Sequence, residues 1–360
     1  MTTAAHILVK CTELGRFIRD ALAAHGARAE DAAVVADGLV WANLRGGDGH
    51  GVSRLPRYLH IIERGEIDVA ARPELVHDRA ATFVIDSHFG FGAVAAMQAA
   101  ALAVERTKGA GVAFGLVRNS THTGAVGRYA EWIAEHGCAA VIMGGGMGPM
   151  AYHGSRVVSM GTNPIAIAVP SRDAPLLLDM ATSTISNGKI LQARATGERL
   201  PENTVLTADG EPTTDPRLAE ILLPLGGPKG SGLGLMFEML ASVLAAAPIQ
   251  SRMLGPEKRT RHTANLAFLA VDIAAFRPLP DFTRDADTLA ALLKALPRQA
   301  GVDEITLPGE RSRRTAAQRR NSGIPIPKRL WDELGAIATE HAIAMPEPIS
   351  RHGPVTGDTA

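Results

Sequence analysis

At 360 residues the chain is long enough for two domains, and 46% hydrophobic with 21% charged residues is ordinary for a globular protein. Lys plus Arg and Asp plus Glu are 37 each, so no global field draws it to nucleic acid or an acidic membrane, and an anionic ligand needs a local site. Aromatics at 4% make no base-stacking platform, and two cysteines, Cys11 and Cys138, make no disulfide framework.

The opening MTTAAHILVK has neither the basic region nor the apolar run of a secretion signal. No uninterrupted apolar run reaches the length of a bilayer, so a cytoplasmic protein without membrane or nucleic-acid partners is expected. CTELGRFIRDALAAHG carries apolar residues at helical spacing and ends at Gly26, a suitable C-cap. A second helix is predicted over AEDAAVVADGLVWANLRGG, with Glu30 and Asp31 placed for its first turn.

RGGDGHGVSRLPRYL then sets Asp48, His50 and Arg54 among four glycines. On a helix, His50 and Arg54 would share a face, and an arginine fork grips a carboxylate through two parallel charge-assisted bonds. A surface ion pair is the alternative for Arg54. A metal site would need ligands that the segment lacks, so no metal is expected.

From about Ala81 the texture changes to short apolar runs divided by glycine. ATFVIDS, VAFGLVR, AAVIMGG and PIAIAVP read as buried strands, with a helix over AVAAMQAAALAVERTKG, and LAFLAVDI adds a later strand. None is followed by the Gly-x-Gly-x-x-Gly turn of a dinucleotide fold, so an α/β or α+β sheet domain of another kind is predicted. His122, in NSTHTGAVGRYAEWIAEHG, comes after a strand-like run and precedes a helical pattern, a place suited to proton exchange near neutral pH. Ser120 and Thr121 beside it lack the elbow motif of a hydrolase nucleophile. Asp179 ends the strand-like run of LLLDMATSTISNGK, and small residues after it admit a ligand near the backbone. Lys229 sits in the Gly-rich loop PLGGPKGSG directly before an apolar helix, an arrangement that favours phosphate although its spacing is not that of a Walker A loop. The segment from Glu310, ERSRRTAAQRRNSGIPIPKRLWDELGAIATE, returns to helix formers, and the Pro- and Gly-rich end, 346–360, is expected to be flexible.

In order, GHGVSRLPRY, NSTHTGAVGRYAE, GTNPIAIAVP, LDMATSTISNGK, DGEPTTDP, LPLGGPKGSGLGLMFEML and LPGER resemble the malate/L-lactate dehydrogenase type 2 family. Ureidoglycolate and sulfolactate dehydrogenases, diketogulonate reductase and cyclic imino acid reductases belong to it. The resemblance implies a non-Rossmann, L-sulfolactate dehydrogenase-like fold: a mixed, largely antiparallel sheet with surrounding helices, plus a helical domain built from both chain ends. The domains expected are 1–75 completed by about 310–345, and a nicotinamide-binding sheet domain over 76–309. It also implies an NAD- or NADP-dependent enzyme, homodimeric, interconverting 2-hydroxy and 2-oxo acids by hydride transfer.

By the same resemblance His122 is the proton donor and acceptor, and His50 is the substrate-side histidine of the family's Ser-His-Gly motif. Arg54 holds the substrate carboxylate, with Tyr58 and Gly146 on the substrate side. Asp179, Met180, Ala181, Lys229, Gly309, Glu310 and Arg311 meet the cofactor, and Asp48 is structural. The chain departs from the family at Gly49, where the motif has serine, and at GGGMGPM around Gly146, where some relatives carry polar residues; a roomier, less polar pocket is expected there. Alternatives are a cyclic imino acid reductase using the same site, and a nucleotide-binding member without catalysis. The basic run Arg311, Arg313 and Arg314 would suit a 2′-phosphate, or simply water.

Overall fold

A computed structural model describes residues 6–146, 148–247 and 263–349. Along the chain come β1 (His6–Val9), α1 (Cys11–Ala24), α2 (Ala29–Leu44) and α3 (Leu55–Glu63). Next are β2 (Glu74–Asp78), β3 (Thr82–Asp86), α4 (Gly92–Ala110), β4 (Val112–Ser120), α5 (Gly127–Glu135) and β5 (Cys138–Gly146). The short β6 (Met150–Ala151) and β7 (Val158–Met160) precede β8 (Ile165–Val169), β9 (Leu176–Met180) and α6 (Asn187–Thr196). Then come β10 (Val205–Leu206), β11 (Pro212–Thr213), β12 (Ile221–Leu222), α7 (Pro228–Glu238), β13 (Ala264–Asp272), α8 (Leu279–Lys294), α9 (Glu310–Ser322), β14 (Ile324–Pro327) and α10 (Lys328–Glu340).

The chain divides into two compact units, one up to Leu59 and from Ser312 onward, the other from His60 to Arg311. In the first, α1 buries Leu14, Phe17, Ile18, Ala21 and Leu22, residues at helical spacing on one face. His25 caps α1 and Gly26 comes next with φ +86°, the left-handed stop that the sequence indicates. Two features differ from the sequence expectation. HILV near the start is a strand, and IPIP interrupts the C-terminal helices to pair with it antiparallel, Val9 opposite Ile324. Proline is tolerated because a two-stranded ribbon has only edges. Of the segment expected to be flexible, Pro348 bridges Val9 and the Ile349 N–H donates to the Leu8 carbonyl oxygen, so this part is tied down; residues 350–360 lie outside the described ones.

The second unit is built on a seven-stranded sheet in the order β2-β3-β4-β13-β5-β8-β9. Of its strand pairs only β3 and β4 run parallel, so the sheet is mixed and largely antiparallel. On one face Leu116, Met143 and Ala267 pack against Phe237 of α7, Ala241 of the π-helical turn that continues it, Met239–Val243, and Ala245 just after that turn. α4 and α5 pack against the sheet as well, α4 through an alanine-rich face of Ala95, Ala96, Ala99, Ala100 and Ala103. A smaller five-stranded sheet, β11-β10-β12-β6-β7, covers α6; its two- and three-residue strands are too short for a periodic pattern to reveal. No helix of the described residues is long and apolar enough to cross a membrane.

β4 can lie this close to β3 because Gly115 has no side chain: a Cβ there would stand 2.0 Å from the Phe83 ring. Phe83 is fully enclosed. Gly115→Ala is therefore expected to lower stability by about 1–3 kcal/mol through overpacking, read as a fall in the denaturant midpoint without a change in slope.

Candidate functional site

In the first unit the glycine-rich stretch after α2 folds into two successive 3-10 turns, Asp48–His50 and Val52–Arg54, rather than the α-helix its spacing allowed. Asn43, buried near the end of α2, fastens it: its side-chain oxygen accepts the Val52 N–H at 2.7 Å and its amide donates to Asp48 Oδ1 at 2.7 Å. Arg319 of α9 grips both Asp48 oxygens, at 2.7 and 3.0 Å, and donates to the Asn43 carbonyl oxygen. Asp48 thus holds the loop to two helices. Gly51 has to be glycine here, since a Cβ would sit 2.3 Å from the Asn43 amide group. In the sequence the one sign of Asn43 is a polar residue in the apolar run VWANL, too little to mark it as the fastener.

Arg54 Nε donates to the Gly49 carbonyl oxygen at 2.6 Å, so Gly49 orients the guanidinium through its backbone. Burial lowers the Arg54 pKa, yet the group stays a cation at physiological pH. Tyr58, one helical turn on, is buried, and burial raises its hydroxyl pKa against the opposing pull of Arg54 and Arg57. His50 is lowered to about 4, first by desolvation and then by the Arg54 charge. His50 is exposed to solvent, which tempers the shift without reversing it. The structure therefore brings His50, Arg54 and Tyr58 together as a neutral imidazole, a cation and a neutral phenol.

In the second unit β4 delivers His122 two residues past its end. Ser120 and Thr121 are buried; Thr121 Oγ1 donates to the Gly90 carbonyl oxygen at 2.8 Å and accepts the Gly92 N–H at 3.1 Å. Ser120 Oγ donates to the Thr121 carbonyl oxygen, so neither hydroxyl is presented as a nucleophile to His122. Tyr129 of α5 donates its hydroxyl to the Thr123 carbonyl oxygen. His122 itself is half-buried, and its Nδ1 accepts the Gly124 N–H at 3.2 Å, which assigns the proton of the neutral ring to Nε2.

Three segments distant in sequence meet at the edge strand β9 and the residues just past its end. Asp179 Oδ2 accepts the Gly127 N–H at 3.0 Å, tying β9 to the first residue of α5. The Thr182 carbonyl oxygen, just past Met180 and Ala181, accepts the Leu225 N–H at 2.8 Å and so fastens the loop that carries Lys229. Lys229 is exposed at the second position of α7. The Gly309 turn lies against Leu177 of β9, where a Cβ would be 2.9 Å from the Leu177 carbonyl oxygen. Glu310 is held there by the Leu307 N–H and by Lys294. Arg311 comes directly after this turn in the sequence.

In the stretch GGGMGPM around Gly146, where a roomier pocket is expected, the described glycines leave no open space. A Cβ would meet Pro164 Cδ at 2.9 Å from position 144, Ser242 Oγ at 2.7 Å from 145 and the Thr263 carbonyl oxygen at 2.7 Å from 146. The absent side chains are replaced by neighbouring protein, not by space. Gly146 donates its N–H to Glu238 Oε2 at 2.9 Å, and Asn163 donates to the same oxygen at 3.2 Å. Glu238 Oε1 is buried without a hydrogen-bond partner among the described residues. In the sequence this carboxylate reads only as one polar residue in an apolar helix.

The family model described as malate/L-lactate dehydrogenase matches residues 9–335. L-sulfolactate dehydrogenase of Methanocaldococcus jannaschii is 36% identical over 330 residues, covering 90% of this chain and 94% of that protein. Delta(1)-pyrroline-2-carboxylate/Delta(1)-piperideine-2-carboxylate reductase of Pseudomonas putida is 37% identical over 248 residues, covering 68% and 72%. Malate dehydrogenase from Entamoeba histolytica superposes with a TM-score of 0.90 at 27% identity, covering 95% of this chain and all of that one.

Because the His50 pKa lies below its unfolded value near 6.5, the unfolded chain binds more protons between those two values. The stability this group contributes is complete above pH 6.5 and declines as pH falls toward 4. Denaturant titrations of wild type and His50→Gln over that window should show a shallower pH slope in the variant; parallel slopes would contradict the shift.

Proposed function

The chain belongs to the malate/L-lactate dehydrogenase family and is an oxidoreductase, and on that premise we propose that it interconverts a 2-hydroxy acid and a 2-oxo acid by hydride transfer to or from NAD or NADP. The observation that carries this reading is the convergence on β9 and the residues just past it: the Gly309 turn lies against Leu177, Asp179 is hydrogen-bonded to the helix that begins five residues after His122, and the loop before Lys229 is fastened to Thr182.

The donor set fits a dinucleotide. Lys229 at a glycine-bordered helix start offers a cation beside backbone amides for a phosphate, and Asp179 and Glu310 offer acceptors for hydroxyls. Met180 and Ala181 supply an apolar and a small contact between them, and Arg311 a second cation. The nicotinamide, when bound, supplies or takes the hydride. The remaining work falls to side chains. Arg54, oriented by the Gly49 carbonyl oxygen, takes the substrate carboxylate, while neutral His50 and Tyr58 donate or accept hydrogen bonds beside it without a competing charge. His122 exchanges the proton at the C2 oxygen through Nε2, the nitrogen turned away from Gly124.

Reduction of a cyclic imine conjugated to a carboxylate is the second reading, favoured by the 37% identity to a pyrroline-2-carboxylate/piperideine-2-carboxylate reductase. It needs the same carboxylate grip and the same hydride. We further propose a cytoplasmic homodimer. Support for the dimer comes from α7 and its continuation, which expose Leu233, Met236 and Leu240 although their buried residues Phe237 and Ala241 are also apolar.

Oxidation of NADH and NADPH, followed by absorbance against 2-oxo acids and Δ1-piperideine-2-carboxylate, tests the reading. His122→Gln is expected to abolish turnover while cofactor binding, monitored by fluorescence, is kept. Arg54→Ala should raise KM for carboxylate substrates by tenfold or more, roughly the loss of one charged hydrogen-bond pair. Full turnover in His122→Gln, or an unmoved KM in Arg54→Ala, would overturn the assigned roles.

A further inference from the structure

The end of β4 is irregular in a particular way. Its pairing with β13 joins Val117 to Leu266 and Ser120 to Ala264, so β4 spends one residue more than its partner over Arg118 and Asn119. This is a β-bulge, a device that bends a strand and re-aims the residues after it. Asn119 has φ +50°, a left-handed conformation unusual for a residue with a side chain. Two residues of the facing turn, His88 at +47° and Phe89 at +61°, share it, and for a bulky aromatic it is an outlier. Such strain persists only where surrounding bonds over-determine the backbone.

Those bonds are present. Asp86 pairs across from Arg118 in the parallel ladder, and its Oδ2 accepts Arg118 Nε at 2.9 Å and Asn119 Nδ2 at 3.0 Å. Its Oδ1 accepts the His88 N–H at 2.9 Å. Burial alone would raise the Asp86 pKa, but these donors together hold it below the usual carboxylate range, so it is an anion at neutral pH. The Asn119 N–H, freed from the ladder by the bulge, donates to Asn265 Oδ1 at 3.2 Å, and Asn265 in turn donates to Ser242 Oγ in the π-helical turn at 3.0 Å. The Ser87 and Phe89 N–H groups donate to the Arg118 and Asn119 carbonyl oxygens at 3.0 and 2.7 Å. The backbone just before buried Ser120 is thus specified from two sides, by the Asp86 turn and by β13.

From this arrangement we propose that Asp86, Asn119 and Asn265 are positioning residues for His122, acting by locking the bulge that ends β4. The proposal rests on the reading of His122 as the acid/base. Only Ser120 and Thr121 separate the lock from His122. Both are buried and hydrogen-bonded, so a change of backbone direction at Asn119 is passed on to the imidazole instead of being absorbed by a loop. Gly92 marks how tight the corridor is, since a Cβ there would stand 2.3 Å from the Thr121 carbonyl oxygen.

The variants are Asp86→Asn, Asn265→Ala and Asn119→Gly, the last retaining the left-handed conformation while losing the bond to Asp86. Two readouts are taken from full-length protein. One is the ring ¹⁵N shifts of His122 in ¹⁵N-histidine-labelled protein, assigned by their disappearance in His122→Gln. The other is kcat and KM with NADH or NADPH and pyruvate, oxaloacetate or Δ1-piperideine-2-carboxylate. Asp86→Asn and Asn265→Ala are expected to move the His122 shifts and lower kcat by about a hundredfold, with cofactor affinity kept, as a displacement near 1 Å would do. Asn119→Gly should fall between these and wild type. A lowered Tm with wild-type His122 shifts and wild-type kcat overturns the proposal, because it would leave the lock a purely structural feature. Should His122→Gln keep full turnover, the acid/base reading fails instead, and the ¹⁵N shifts alone still judge the lock.

Discussion

The ends of β4 and β5 stand on either side of β13, which is hydrogen-bonded antiparallel to both. Ala264 is opposite Ser120 on one side and Gly146 on the other, which sets the His122 segment and the glycine-rich end of β5 at the same end of the sheet. A strand more than a hundred residues downstream of both must therefore find its place before either end is fixed. Such non-local closure carries a loop-entropy cost, recovered here by a core of Leu116, Met143, Phe237, Ala241 and Ala267 that sits over the three strands. The same insertion sets the register of the bulge, because it is β13 that β4 outruns by one residue.

With no net charge to steer ligands, an anion needs a local site, and the side chains proposed to meet substrate and cofactor are oriented largely by backbone groups. Arg54 is aimed by a carbonyl oxygen, Asp179 by an N–H, and Lys229 stands at a helix start fastened to Thr182. Several glycines in these motifs serve close approach more than flexibility: at Gly51 and Gly146 the space of a Cβ is taken by Asn43 and by Thr263. Around Gly146 the glycines therefore leave no opening. The Gly146 N–H and the Asn163 amide instead meet on Glu238 Oε2.

Much of this was legible in the sequence. The strand runs VAFGLVR, AAVIMGG, PIAIAVP and LAFLAVDI became β4, β5, β8 and β13, since continuous apolar runs bounded by glycine suit strands covered on both faces. The absence of a Gly-x-Gly-x-x-Gly turn agreed with a sheet that is mostly antiparallel, and ordered motifs gave the family. Partnerships were not legible. Nothing in HILV or IPIP announces that the two pair with each other, and β6, β7 and β10–β12 are too short to show a period. Asn43, Asp86, Asn265 and Glu238 escaped because their importance lies in what they hold across long sequence gaps. The glycines at 144–146 misled for a complementary reason: a missing side chain tells of room, but only the neighbours tell who occupies it.

Direct hydride transfer to C2 of a carboxylate-bearing substrate is the claim on which every assigned role depends. The most direct test supplies the protein with nicotinamide cofactor deuterated at C4, in each stereochemical form, together with 2-oxo acids and Δ1-piperideine-2-carboxylate, and reads the product by mass spectrometry. One deuterium at C2 from one of the two forms, and none from the other, is the predicted result. Product without label, or cofactor that keeps its deuterium in both forms while substrate is consumed, would contradict it.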